Sequence, residues 1–178
     1  MGRLTRKELA EHYHGLRGIA RHITSNVLVA GGITGIRLTE INRPALAQAA
    51  KWTNRKVGWD WGEMHHHWSS RPRHISLAIW IDPTLCCLLL GRVSDGRIVA
   101  RIDRLERAPN VTKEQFASAT LVARTYLDTL GSLAGCRQAV LWEPFPTLIE
   151  HYKLAGFTSE IVMKGKIVGL KYDLPLTE

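Results

Sequence analysis

The chain has 178 residues and a formal net charge of +8. No apolar run approaches the roughly 20 residues that span a bilayer, and the first residues lack the apolar core of a signal peptide. These features exclude an integral membrane protein and predict a cytoplasmic one with no membrane partner. The length suits one domain with a substantial core. The charge favours anionic partners such as nucleic acid or a phosphate-bearing cofactor, or it reflects a solvated basic surface, since no block of consecutive basic residues occurs.

Residues 5–24 have the pattern of an amphipathic helix. Thr5 and Glu8 have capping-box spacing, and apolar residues then recur at steps of three and four. The opposite face carries four basic residues: Arg6, Lys7, Arg17 and Arg21. We expect this face to be solvated, with a nucleic acid contact as the alternative. Residues 1–34 are therefore interpreted as a helix and linker that either covers the sheet of residues 35–178 or mediates a homodimer.

The next elements are a strand and a helix. The Gly-rich residues 27–35 are interpreted as a strand or linker that leads into residues 36–40, where apolar and polar side chains alternate as in a half-exposed strand. A helix is predicted over residues 42–56, because Pro44 suits a first turn and apolar residues follow on one side.

Residues 58–74 crowd three Trp, four His and two carboxylates into one segment, GWDWGEMHHHWSSRPRH. We interpret it as a pocket mouth, because Trp and His join an apolar body to a polar tip. The alternative is a zinc site. Consecutive histidines on a helix point about 100° apart, so His65, His66 and His67 could not share one ion without a ligand from elsewhere, for example His74. We therefore expect no metal.

Residues 75–82, 85–93 and 98–105 are predicted to form a three-strand meander, since the first two runs are continuously apolar and turns separate them. A second capping box starts at Thr112, and the helix that it opens continues to the region of Gly131. The three cysteines have no metal spacing and are interpreted as reduced core thiols.

Residues 139–157, AVLWEPFPTLIEHYKLAGF, read as a buried strand, a Pro-containing break and a short helix over 147–154 that ends at Gly156. Gly ends a helix cheaply in the left-handed conformation. Helical spacing places Tyr152 on the packed face. The strand should pair in parallel with the last meander strand through a right-handed crossover. A hairpin over 161–163 and 167–174 completes the chain.

This order of elements, with Tyr152, Gly156, Phe157 and the final hairpin, resembles the GCN5-related N-acetyltransferase (GNAT) fold from about residue 35 to 174. The resemblance implies an α/β (α+β) protein with a mixed, mostly antiparallel sheet flanked by helices, here with an extra N-terminal helix. It implies transfer of an acetyl or other acyl group from acetyl-CoA to a small-molecule or macromolecular amine acceptor.

The resemblance also implies where the coenzyme binds. A helix N-terminus offers free amides to a diphosphate, so Val111, Thr112 and Lys113 are candidates. The customary Gly-rich loop is replaced by RAPNVTKEQF, which restricts approach of the backbone to the phosphates. Leu105 and Arg107 at the strand end correspond to the acyl arm, and Phe145 completes the coenzyme site.

Tyr152 matches the tyrosine that acts as the acid toward the leaving thiolate in many members of the family, with a packing role as the alternative. Glu106 is our candidate base, and three further carboxylates stand behind it: Asp103, Glu63 and Asp60. The segment before and within the second core helix corresponds to the acceptor side in the family. The substrate-binding candidates there are Trp59, Trp61, Glu63 and His65.

Two other function classes remain open from the sequence. A GNAT-like module that binds protein or nucleic acid without catalysis is the main alternative, since the Gly-rich loop is absent. A metal-dependent enzyme that uses the His cluster is the weaker one.

Overall fold

The computed structural model describes residues 4–175, and its centre is a seven-stranded sheet with strand order β1-β2-β3-β4-β5-β7-β6. The strands are β1 (Ile36–Thr39), β2 (His74–Ile81), β3 (Thr84–Val93), β4 (Val99–Arg107), β5 (Gln138–Trp142), β6 (Ser159–Met163) and β7 (Lys166–Asp173). The helices are α1 (Arg6–Ala30), α2 (Arg43–Ala49), α3 (Trp61–Ser69), α4 (Lys113–Leu133) and α5 (Ile149–Leu154), with a 3₁₀ turn at Pro146–Leu148. The predicted α/β class is confirmed.

The sheet is antiparallel except where β4 and β5 pair in parallel across the α4 crossover, as predicted. This parallel pairing is short. It runs from Val99 and Gln138 to Ile102 and Leu141, although β4 continues to Arg107. The two strands therefore separate beyond Ile102, and the gap between them opens toward α4 and α5.

The core lies on both faces of the sheet. One face packs against α1, α4 and α5, and buries Tyr126, Tyr152 and Phe157 among many aliphatic residues. The other face packs against α2 and α3 through Trp61 and Trp80. Those two helices lie over β2 and β3, and within residues 4–175 no helix packs extensively against β5, β6 or β7 on that side.

The first helix is longer than the sequence pattern predicted. Its capping box at Thr5 is confirmed, but the helix continues to Ala30 instead of ending near residue 24. Residues 27–30 are therefore helical, which corrects the interpretation of 27–35 as strand or linker. The physical reason is that the glycines begin only at Gly31, while Leu28 is buried and extends the packed side of the helix by another turn.

The prediction that Arg17 is solvated is wrong, because only 3% of it is exposed. Its Nε donates a hydrogen bond of 2.7 Å to Glu40 Oε1, and its Nη1 donates to the His74 carbonyl at 3.2 Å. Arg21 adds a second contact to Glu40 at 3.3 Å. A buried charge is tolerated when it is paired and hydrogen-bonded, so α1 is attached to the end of β1 by an ionic contact as well as by apolar packing.

Two element boundaries and the pairing of one strand also differ from the predictions. Helix α2 ends at Ala49 instead of reaching residue 56, and the predicted helix over 147–154 begins as a 3₁₀ turn. Strand β4 contains a bulge, because Leu90 faces Arg104 while Gly91 faces Ile102. Asp103 is thus an extra residue, and it is buried instead of alternating outward with Arg101. Gly156 has φ +104° as expected, and an added Cβ there would lie 2.7 Å from the Arg124 guanidinium.

The contact between α1 and Glu40 should make stability depend on pH. Burial alone would raise the pKa of Glu40, but the hydrogen bond from Arg17 and the charges of Arg17, Arg21 and His14 together lower it below its ordinary value of 4.5. A carboxyl group with a lowered pKa in the folded state contributes stability above its ordinary pKa and loses it as the pH falls through the lowered value.

We expect Glu40→Gln to lower the free energy of unfolding at pH 7 by about 2 kcal/mol, the usual range for hydrogen bonds to charged groups. The difference from wild type should shrink as the pH falls below about 4.5. Denaturant unfolding across this range measures both effects. Glu11→Gln is the control, since the contact of Glu11 with Lys7 is exposed. A difference that is independent of pH would contradict the ionic role of Glu40.

Candidate active site

A cleft of about 140 Å³ lies where β4 and β5 separate. One wall is the loop between α2 and α3 at residues 54–57, and the floor is the end of β4 at residues 105–107. The opposite wall comes from Phe116 of α4 and from the segment after β5, with Tyr152 of α5. The structure thus brings together five of the residues that were chosen from the sequence: Leu105, Glu106, Arg107, Phe145 and Tyr152.

Tyr152 is 4% exposed and lies at the cleft wall. Its ring packs edge to face against Phe157, with 6.5 Å between the centroids. Burial raises the pKa of Tyr152 above its ordinary value, the nearby Cys87 thiol adds to the rise, and the positive charge of Arg107 opposes it. The phenol therefore keeps its proton at neutral pH. Among the described residues its hydroxyl has no hydrogen-bond partner, so it is available to a bound molecule.

Glu106 is 8% exposed, and three donors hold its carboxylate. Arg55 Nε donates to Oε1 at 2.8 Å, Arg55 Nη2 donates to Oε2 at 2.7 Å, and the indole N–H of Trp61 also donates to Oε2. Arg55 Nη2 donates to the Trp59 carbonyl as well, at 2.7 Å. The loop between α2 and α3 is thereby fixed to the end of β4, and Oε1, which accepts only one of these hydrogen bonds, retains a lone pair for a further donor.

Arg55 was not singled out from the sequence, because no local pattern distinguishes it from other loop arginines. The same is true of His151, whose ring stacks on Phe116 with 4.5 Å between the centroids. The Thr120 hydroxyl donates to the Phe116 carbonyl, so His151 Nε2 donates to Thr120 Oγ1 at 2.8 Å. Burial, followed by the charge of Arg107, lowers the pKa of His151, so this ring is neutral at neutral pH and packs beside Tyr152.

The start of α4 is closed by its own side chains. Thr112 N donates to Gln115 Oε1 at 2.9 Å, and Gln115 N donates to Thr112 Oγ1 at 3.1 Å, which confirms the predicted capping box. Two of the amides that a diphosphate would need are therefore already bonded. Val111, Thr112 and Lys113 do not line the cleft. The cations that do line it are Arg55, Lys56 and Arg107.

The predicted acceptor residues divide into two groups. Trp61 is 3% exposed and bonds to Glu106, and Trp59 packs edge to face on Trp61 with 6.1 Å between centroids. Glu63 and His65 lie further along α3, and none of the four residues lines the cleft; Trp61 reaches it only through its hydrogen bond to Glu106. Asp60 caps α3 by accepting a hydrogen bond from the Glu63 amide at 2.9 Å.

The His cluster does not form a recognisable metal site. His66 and His67 are exposed on α3, while His65 is half-buried. In the described range 4–175, no group of three or more His, Cys, Asp or Glu side chains is placed to hold a metal ion. The three cysteines are buried and free.

Comparison with known proteins identifies the fold. No family model matches the sequence, and no curated protein sequence matches it. Several solved structures, in contrast, have a similar fold. The Escherichia coli ribosomal-protein-S18-alanine N-acetyltransferase superposes with a TM-score of 0.56, covering 80% of this chain and 95% of its own, at 14% identity. The chain has the GNAT fold.

Two further solved structures also have the GNAT fold. One is named for its acceptor, and the other is a complex with coenzyme A. The aminoglycoside 6'-N-acetyltransferase of Enterococcus faecium has a TM-score of 0.55, covering 80% of this chain and 99% of its own, at 11% identity. The PaiA N-acetyltransferase of Thermoplasma acidophilum, in complex with coenzyme A, has a TM-score of 0.53, covering 79% and 99%, at 11% identity. The shared fold thus accommodates unrelated acceptors. Within the described residues of this GNAT-fold chain, no helix is both long and apolar enough to span a bilayer.

The contact between Arg55 and Glu106 should contribute strongly to stability. We expect Arg55→Ala to lower the free energy of unfolding by about 3 kcal/mol, because it leaves a buried carboxylate without its main partner. The double variant Arg55→Ala/Glu106→Gln should recover most of this loss, since the charge is removed as well. Arg43→Ala, at an exposed arginine of α2, is the control. A double variant less stable than Arg55→Ala would contradict the ionic interpretation.

Proposed function

We propose that the chain is an acyl-CoA-dependent N-acyltransferase that transfers an acetyl group from acetyl-CoA to an amine acceptor. The observation that carries this proposal is the protonated Tyr152 phenol, free of hydrogen-bond partners in the described chain, in the cleft between the separated ends of β4 and β5. The GNAT fold supports it, because proteins with this fold include N-acetyltransferases and one complex with coenzyme A.

The cleft has the chemistry that a slender anionic co-substrate needs. Phe145 and Leu148 supply an apolar wall, and the β4 residues Leu105 to Arg107 run along the other side. Lys56 and Arg107 place positive charge at its rim, where it would attract a diphosphate. In this proposal acetyl-CoA supplies the thioester, and these side chains replace part of what a Gly-rich loop would provide.

We still propose that the start of α4, at Val111, Thr112 and Lys113, contacts a phosphate, on the condition that its capping box opens. The Thr112 amide is bonded to Gln115, and the Gln115 amide is bonded to Thr112. A phosphate could replace the side-chain partners, because it is the stronger acceptor at a positive helix end. We therefore expect the capping box to open when the coenzyme binds.

The two proposed proton carriers lie on different sides of the cleft. The acceptor amine attacks the thioester carbonyl as a neutral nucleophile, so an ammonium group must first lose a proton, directly or through water. Glu106 is the proposed base, and the lone pair that remains on its Oε1 would accept the proton. Attack forms the C–N bond, and collapse of the tetrahedral adduct breaks the C–S bond as Tyr152 gives its phenol proton to the leaving sulfur. The nitrogen loses its remaining excess proton after the attack, and this proton returns to the Tyr152 oxygen through water. Trp59 and Trp61 border the acceptor side next to Glu106.

Three carboxylates behind Glu106 are less suited to the base role. Asp103 is buried and forms an ion pair with Arg101. Asp60 is engaged as the cap of α3, and Glu63 lies outside the cleft. None of them reaches the cleft lining, so Glu106 is the carboxylate on which the proposal depends.

One observation favours a second candidate function, a GNAT-like binding module without catalysis. The closed capping box of α4, together with the absent glycines, removes backbone amides that usually hold the diphosphate. Isothermal titration with acetyl-CoA separates the two functions. Binding in the micromolar range supports the transferase, and no detectable heat at high coenzyme concentration favours the module.

We expect Arg107→Ala to weaken acetyl-CoA binding by about tenfold, the loss of one charge-assisted contact. Lys51→Ala, which removes an exposed lysine outside this cleft, should leave the affinity unchanged. Titration calorimetry on both variants measures the effect. Equal affinities would show that Arg107 does not face the bound phosphates.

We expect Tyr152→Phe to lower turnover by about 10²- to 10⁴-fold, the usual contribution of a general acid or base. The melting temperature should change little, because in the described chain the hydroxyl makes no hydrogen bond that the variant would lose. Steady-state kinetics with a panel of amines and thermal unfolding measure the two effects. Full activity in the variant would leave Tyr152 with only a packing role.

A further inference from the structure

A second and larger groove lies on the side of the sheet that carries α2 and α3, beyond the strands that those helices cover. Its volume is about 550 Å³. We call it the cationic groove and define it by six lining residues: Arg92, Arg101, Val140, Trp142, Ile161 and Lys171. These residues come from β3, β4, β5, β6 and β7, so the groove crosses the part of the sheet face against which no described helix packs extensively.

The charge of this groove is not balanced within the described residues. Arg101 is paired with the buried Asp103. Asp95, the carboxylate at the groove rim, is paired with Arg73. Among residues 4–175, Arg92 and Lys171 have no ion pair. The floor of Val140, Trp142 and Ile161 is apolar, so the groove suits an occupant that combines negative charges with apolar or aliphatic surface.

Two arginine–tryptophan contacts lie on or beside the strand that the groove shares with the Tyr152 cleft, β4. The guanidinium carbon of Arg101 lies 5.0 Å from the centroid of the Trp142 ring, and that of Arg104 lies 5.3 Å from the Trp59 ring. The Trp59 carbonyl accepts the hydrogen bond from Arg55, which reaches Glu106. Along β4, Arg101 at the groove and then Arg104 thus precede Glu106 at the cleft.

The edge of the sheet beside the groove favours a polypeptide as the occupant. Among residues 4–175, strand β6 pairs with β7 alone, so within this range its other edge carries unpaired backbone groups. Val162 and Met163 on this strand are 54% and 55% exposed. An extended peptide can add to such an edge through main-chain hydrogen bonds, whereas a nucleic acid has no backbone that continues a β-ladder.

We propose that the cationic groove and the β6 edge dock an extended acidic segment of a partner protein. A second copy of this chain is a poor occupant, because each copy carries a net charge of +8 and would bring more positive charge to the groove. Docking stands without the transferase proposal. We add that the docked protein supplies the amine acceptor, and only this addition rests on the proposed transferase function.

The test is fluorescence anisotropy at low salt, without coenzyme, using a labelled peptide of alternating glutamate and threonine. We expect it to bind, and we expect a matched peptide of glutamine and threonine to bind much more weakly. The variant Arg92→Glu/Lys171→Glu should weaken binding of the acidic peptide by about tenfold or more. The control Lys7→Glu/Arg43→Glu changes the net charge equally at exposed sites on α1 and α2 and should change binding by less than about twofold.

Three outcomes would overturn the proposal. The first is a failed control: either the two peptides bind equally, or the two double variants weaken binding of the acidic peptide equally. The second is an oligouridylate of the same length that binds more tightly than the acidic peptide and loses binding in the groove variant. The third is a wild-type dimer that the groove variant dissociates, measured by analytical ultracentrifugation. If Arg92→Glu/Lys171→Glu unfolds, Arg92→Gln/Lys171→Gln takes its place, with a melting temperature measured for each.

The same variants separate failure of docking from failure of the transferase. Coenzyme calorimetry on the groove variant should match wild type, because neither Arg92 nor Lys171 lines the Tyr152 cleft. Peptide binding without any coenzyme binding would overturn the transferase proposal and leave docking intact. Coenzyme binding without a preference for the acidic peptide would overturn docking and leave the transferase proposal intact.

Discussion

The short parallel pairing of β4 with β5 is the constraint on which the rest of the structure depends. The two strands share a ladder only as far as Ile102 and Leu141. Beyond it β5 stays paired with β7 through Trp142, and the Glu143 amide still donates to the Val168 carbonyl at 2.9 Å. The chain then turns away from the sheet, because Glu143 adopts φ +49° and Pro144 has no amide to donate. The cleft that remains is bounded on one wall by the loop at residues 54–57 and on the opposite wall by Phe116 of α4 and Tyr152 of α5. Tyr152 reaches the cleft because the 3₁₀ turn at Pro146–Leu148 and then α5 follow this departure.

Two ion pairs between distant parts of the chain shape the protein around that gap. Arg17 and Glu40 attach helix α1 to the sheet, and Arg55 and Glu106 attach the loop at residues 54–57 to the floor of the cleft. In both cases a partly or fully buried carboxylate receives more than one donor, which offsets the cost of burial. The second pair also involves the proposed base, so the contact that orders the cleft restrains the proposed proton acceptor.

The start of α4 shows how a fold can persist while a local sequence motif differs. The start of α4 forms its own capping box, which stabilises the helix in the absence of a ligand. Positive charge is instead contributed by side chains at the cleft rim and, on the far side of the sheet, by the cationic groove. Basic residues thus contribute to both of these sites, while others, such as Lys7 and Arg43, are exposed elsewhere, in keeping with a sequence whose basic residues are scattered.

The sequence by itself determined the order of the elements, both capping boxes, the buried strands and the glycine that ends α5, because these depend on local periodicity and backbone preference. It also pointed to Tyr152 and Glu106, which the structure brings to one cleft. Only the tertiary structure decided that Arg17 is buried, that Arg55 holds Glu106, and that the start of α4 lies outside the cleft lining. The physical reason is that an arginine has the same local sequence pattern whether it is solvated or paired. Its partner decides between the two, and that partner lies 23 residues away along the chain for Arg17 and 51 for Arg55.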